Sequence, residues 1–133
     1  MLTFDRQCEQ AIELYKEAFR AENPVLMRYS DANPKDLPSK YNSDEDSSLI
    51  FHAQIMIGNQ RILLCDNLFN DLHKGHTIYL VAMFKNDDEV KAAYSVMVEG
   101  ATIITPLSSA TYTSCSASLI DKFGIHWDLM VFQ

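Results

Sequence analysis

Basic residues are scarce in this chain of 133 residues: 11 Lys and Arg stand against 18 Asp and Glu, a formal charge of −7. A surface of that sign repels nucleic acid and anionic membrane, and no basic cluster offsets it, so neither is expected as a partner. Cysteine is sparse too. Cys8, Cys65 and Cys115 are odd in number and widely spaced, which argues against a disulfide framework or a CxxC zinc site and for reduced thiols. No apolar run reaches membrane-spanning length. Residues 1–5 lack the basic head and apolar core of a signal peptide, so a cytoplasmic protein is expected. No GxSxG elbow surrounds Ser108, Ser109, Ser114 or Ser116, and a serine hydrolase is not indicated. Cys115 has no identifiable base beside it, which disfavours a catalytic thiol.

What is present is an ordinary globular composition, 47% hydrophobic and 22% charged, in a length that fits one domain, 1–133. Residues 1–4 read as a short strand. Residues 5–22 read as a helix capped by Asp5, with Ala11, Leu14, Tyr15, Ala18 and Phe19 at helical spacing and Asn23-Pro24 as its stop. Residues 25–29 suit a strand. Residues 30–48 are polar and turn-rich, too long for a plain connection, and read as a functional loop, a lid or a disordered segment. Residues 49–66 read as a hairpin turning at Gly58-Asn59. Residues 76–84 form an apolar strand, and Asn86 with Asp87, Asp88 and Glu89 starts a helix over 87–99 that Gly100 stops. Ala101–Thr105 is a short strand punctuated by Pro106, and residues 110–120 form another.

The closing stretch, Asp121-Lys122-Phe123-Gly124-Ile125-His126-Trp127-Asp128-Leu129-Met130-Val131, reads as a tight turn and a strand. Side chains alternate along a strand, so Ile125, Trp127, Leu129 and Val131 form an apolar row and His126, Asp128 and Met130 the opposite one. The same parity in the first hairpin sets Ala53, Ile55 and Ile57 against His52, Gln54 and Met56. His126 and Asp128 are therefore neighbours on one wall, as a metal pair, an acid–base pair or plain polar lining. His52 either orients a ligand or bonds to backbone. Met56 and Met130 make such a wall soft and adaptable.

The halves resemble each other. A shift of 79 carries Ala11, Leu14, Tyr15, Ala18 and Phe19 onto Val90, Ala93, Tyr94, Met97 and Val98. A shift of 64 carries His52-Ala53-Gln54-Ile55 onto Ser116-Ala117-Ser118-Leu119, and Leu64 onto Asp128. The fold expected is α+β: duplicated βαβββ units, about 1–70 and 76–133, forming curled mixed sheets around a concave cavity.

A duplicated βαβββ unit resembles the vicinal oxygen chelate superfamily of glyoxalases, bleomycin-resistance proteins and extradiol dioxygenases, and most of all its PhnB-like branch. The residues carrying the resemblance are Cys8-Glu9-Gln10-Ala11-Ile12-Glu13-Leu14-Tyr15, His52-Ala53-Gln54-Ile55-Met56-Ile57-Gly58, Gly100-Ala101-Thr102 and Asp121-Lys122-Phe123-Gly124-Ile125-His126-Trp127. Methyl transfer, a label sometimes attached to that branch, finds no support, since no glycine-rich cofactor loop follows a strand. Metal-dependent members of the superfamily take four strand-end ligands. The resemblance matches Asp128 to the fourth and His76 to the third, puts the second near Leu64 or Asp66, and finds none in Leu2-Thr3-Phe4. An incomplete set makes a small-molecule binding protein without established chemistry the leading reading, a metal-dependent lyase, isomerase or dioxygenase the alternative, and a dimer with a vestigial cavity a third. Whether the chain is an enzyme stays open. No cofactor is expected, a divalent metal is the exception to test, and His52, Gln54, Met56, His126, Asp128 and Met130 are the expected ligand-binding residues. The resemblance further implies a homodimer.

Overall fold

A computed structural model describes residues 1–132. The chain divides into two compact units, Met1–His73 and Lys74–Gln133. Each is a mixed four-stranded sheet with a helix packed on one face, and together they make the expected α+β duplication.

The first unit runs β1 (Leu2–Phe4), α1 (Cys8–Phe19), β2 (Glu22–Arg28), α2 (Ser43–Asp46), β3 (Ile50–Ile57) and β4 (Gln60–Asp66). Its strands lie in the order β1-β4-β3-β2, with β1 parallel to β4 and the rest antiparallel. The second unit repeats the plan with β5 (Leu80–Phe84), α3 (Asp87–Met97), β6 (Thr102–Ala110), β7 (Thr113–Ile120) and β8 (His126–Val131), in the order β5-β8-β7-β6. Each core lies between helix and sheet. Ala11, Ile12 and Tyr15 pack with Ala53, Ile55 and Leu64 in one unit, and Val90, Ala93 and Met97 with Ala117, Leu119 and Leu129 in the other. Among the described residues, no helix is long and apolar enough to cross a membrane.

Several elements depart from the sequence reading. Helix α1 starts at Cys8, not Asp5, and its N-cap Gln7 makes no side-chain cap bond. The acceptor comes from far away: the Asp66 carboxylate at the end of β4 takes the Cys8 N–H at 2.8 Å. The helix ends at Phe19, where Arg20 turns left-handed at φ 53°, not at Asn23-Pro24. Those two residues lie inside β2, an edge strand that tolerates proline at a register break. There the Asn23 amide donates to the Val25 and Gln54 carbonyls.

Residues 30–48 are not featureless. Tyr29–Asp31 and Pro34–Asp36 form 3-10 turns, and α2 follows. Buried Tyr29 donates its hydroxyl to the Asp66 carbonyl and stacks on Tyr41, and buried Asp46 pairs with Arg6 and accepts from the Asn42 N–H. Strand β5 begins at Leu80 rather than residue 76, because its parallel partner β8 begins only at His126 and offers nothing to pair further upstream. Pro106 does not end β6, which runs on along the sheet edge through register shifts. Helix α3 starts as read, with the Asn86 side chain accepting from the Glu89 N–H.

Candidate functional site

The turn before β8 is set by Asp121, whose Oδ1 accepts from the Phe123 and Ile125 N–H groups and whose Oδ2 accepts from the Trp127 indole N–H at 3.0 Å. Gly124 sits at φ 91°, a backbone that side chains rarely adopt. With Trp127 anchored, strand parity buries Leu129 and Val131 toward α3 and turns His126, Asp128 and Met130 to the open face.

On that face the second unit holds a cleft of about 290 Å³. His126, Asp128 and Met130 line it from β8, Ser116 and Ser118 from β7, and Ile104 and Thr105 from β6. Tyr79 and Tyr112 add two aromatic rings. The Tyr79 ring stacks on the His126 imidazole at 4.6 Å between centroids. His126 Nε2 lies 3.1 Å from the Ser118 hydroxyl, while its Nδ1 is buried with no hydrogen-bond partner. Asp128 stands directly opposite Ser118 in the ladder. Ion pairs among the described residues join Arg6 to Asp46, Lys16 to Glu13 and Arg28 to Glu9, and none takes Asp128.

The remaining expected ligand-binding residues lie on β3 of the first unit. His52, Gln54 and Met56 share the face opposite the helix, as parity requires. Their hydrogen bonds fix one another. Arg61 only donates, so the Gln54 Oε1 faces it at 2.8 Å, and the Gln54 amide nitrogen then faces His52 Nε2 at 3.0 Å. An amide nitrogen only donates, so His52 Nε2 accepts and its proton resides on Nδ1.

The metal-ligand candidates sit in unlike surroundings. His76 is exposed in the irregular segment before β5. Asp66 is buried beneath α1, with its oxygens taken by the Cys8 and Ile50 N–H groups, and burial raises its pKa despite those two bonds. Among the described residues, no three His, Cys, Asp or Glu side chains form a group that could hold a metal ion. Within either unit the donors present do not fit a four-ligand metal centre.

The repeat also carries a register offset. Ala53 pairs with Leu64, and its repeat Ala117 pairs with Leu129. The shift is therefore 64 between β3 and β7 but 65 between β4 and β8. Leu63, not Leu64, corresponds to Asp128, and Asp66 corresponds to Val131 on the helix side. One residue of slip exchanges the faces of a strand. The sequence reading also missed Tyr79, assigned to a strand, and the Ser116–Ser118 row, although its alternation with Ala117 and Leu119 carries the signal.

No family model matches the chain, and no curated protein matches it. Solved structures do. A Pseudomonas aeruginosa protein superposes with a TM-score of 0.83 at 17% identity, covering 99% of this chain and 94% of its own. The PhnB protein of Bacillus cereus superposes with a TM-score of 0.75 at 20% identity, covering 98% and 95%. A glyoxalase/bleomycin resistance/dioxygenase domain from Frankia gives 0.65 at 14% identity, covering 99% and 87%. The chain therefore has the same duplicated fold as the PhnB protein and the glyoxalase/bleomycin resistance/dioxygenase domain.

Proposed function

We propose that the chain is a small-molecule binding protein of the glyoxalase/bleomycin-resistance type, and that the cleft of the second unit receives the ligand. The supporting observation is that His126, Asp128 and Met130 line one hollow together with two tyrosine rings and three hydroxyl-bearing side chains. Apolar walls with a few fixed polar groups are the usual make-up of a ligand pocket. On the first unit His52 and Gln54 form an ordered polar pair beside Met56, and we read these three as ligand-binding residues of that unit.

The fold likeness extends to the fosfomycin resistance protein FosX from Mesorhizobium loti, with a TM-score of 0.62 at 13% identity. One fold supports many functions, so the site and not the fold carries the proposal. Free Cys8, Cys65 and Cys115 are in keeping with a reducing, cytoplasmic setting. We also read the chain as a homodimer, since β1, β2, β5 and β6 are the edge strands of their sheets and sheet edges invite pairing. Light scattering at micromolar concentration decides that point.

A fragment titration followed by backbone amide shifts tests the cleft. Shifts are expected at 126, 128 and 130, and Asp128→Asn is expected to weaken binding with the fold intact. Saturating shifts confined to other surfaces overturn the reading. Elemental analysis of protein purified without a histidine tag tests the metal alternative. A full equivalent of divalent metal, lost in Asp128→Asn, establishes the lyase, isomerase or dioxygenase reading instead.

A further inference from the structure

We propose that the cleft selects an organic ammonium ion carrying a flat apolar ring, with Asp128 as its counter-ion and Tyr79 and Tyr112 as ring walls. The inference rests on the reading that this cleft is the binding site, and it names the class of ligand.

The argument starts from the formal charges. Among the described residues, Asp128 is the only Asp, Glu, Lys or Arg lining the cleft. A carboxylate accepts and never donates, and this one has no cationic partner among the described residues. A ligand anion placed there meets like charge and no guanidinium or ammonium. A ligand ammonium meets an acceptor that forms a charge-assisted hydrogen bond.

The walls favour the same class. Tyr79 and Tyr112 line the cleft, and aromatic rings carry a negative quadrupole on their faces that attracts cations and favours stacking with flat rings. Met130 adds a polarisable thioether that accommodates varied ring shapes. Tyr79 is half exposed and stacked on His126, and a ligand ring would extend that stack. The hydroxyls of Ser116 and Thr105 supply neutral partners for the remaining N–H groups.

Three probes with one ring and three charges test it: tryptamine, tryptophol and indole-3-acetate, each titrated into the full chain and followed by amide shifts at 126, 128 and 130. Tryptamine is expected to bind about tenfold tighter than tryptophol, with indole-3-acetate weakest. In Asp128→Asn the preference for the amine is expected to fall to about twofold or less. The same preference should shrink in the unmodified protein as salt rises from about 20 mM to about 0.5 M. That series decides the matter should the variant fail to fold. Equal binding of amine and alcohol, tighter binding of the acid, or a preference insensitive to salt overturns the cation proposal while leaving the cleft as the site. Absence of cleft shifts with all three probes overturns both.

Discussion

Gln54 settles the protonation pattern of its neighbour. Because Arg61 orients its amide, His52 is expected to carry its proton on Nδ1, which nitrogen NMR shifts of the imidazole report directly. Arg61→Ala frees the amide to rotate, and a rise of the Nε2–H form is the expected outcome; an unchanged spectrum removes Arg61 from the chain of causes. Asp121 shows what one residue contributes to a turn. Trp127→Phe keeps an aromatic ring but removes the indole N–H that Asp121 Oδ2 accepts and leaves buried volume unfilled, at a cost of at least about 1–3 kcal/mol in denaturant unfolding. The role of Asp121 was legible because it is local: an Asp before a Gly-containing turn bonds its own backbone. Asp66 was not. Its oxygens serve backbone groups 58 and 16 residues away, and nothing near it in sequence announces them.

Helices and strands were legible where periodicity is long and sharp, as in α1, α3 and the β3–β4 hairpin. Boundaries fixed by a distant partner were not, and α1 is the clearest case. Asp66→Ala strips the Cys8 and Ile50 N–H groups of their acceptor, and a loss of at least about 2 kcal/mol is expected, with exchange protection falling first at residues 8 and 50. At the other end of α1, Arg20 holds a left-handed backbone that glycine adopts without strain. Arg20→Gly is expected to raise stability by about 0.5–1 kcal/mol, read from the denaturant midpoint at unchanged slope. A loss of stability would mean that the Arg20 side chain contributes more than its backbone costs. The candidate site was legible along β8, where parity alone set His126, Asp128 and Met130 on one face. It was illegible across the repeat, because a one-residue offset leaves no mark on composition.

For the molecule as a whole, charge and pH are the widest levers. The Arg28 guanidinium grips Glu9 through both oxygens and lowers its pKa. A carboxylate lowered on folding stabilises the native state above its unfolded value of 4.5, and that contribution disappears as pH falls through the lower folded value. The pair is half exposed, so the effect is under about 1 kcal/mol, and Arg28→Ala should flatten the acid limb of stability by that amount. Asp66 works in the opposite sense: burial raises its pKa, so its contribution is fullest at acid pH and is lost as pH rises from 3.8 through the folded value. With a net charge of −7 the chain is expected to pass a heparin column unretained at moderate salt. The register offset, finally, gives protein engineers a map. Counting by 65 along the second hairpin arm, Arg61 stands where β8 has His126 and Leu63 where it has Asp128, and Leu63 already faces Gln54 as Asp128 faces Ser118. Arg61→His with Leu63→Asp would therefore graft a second copy of the β8 wall onto the first unit. The same pair of changes made one position later would bury a carboxylate under a helix and unfold the protein.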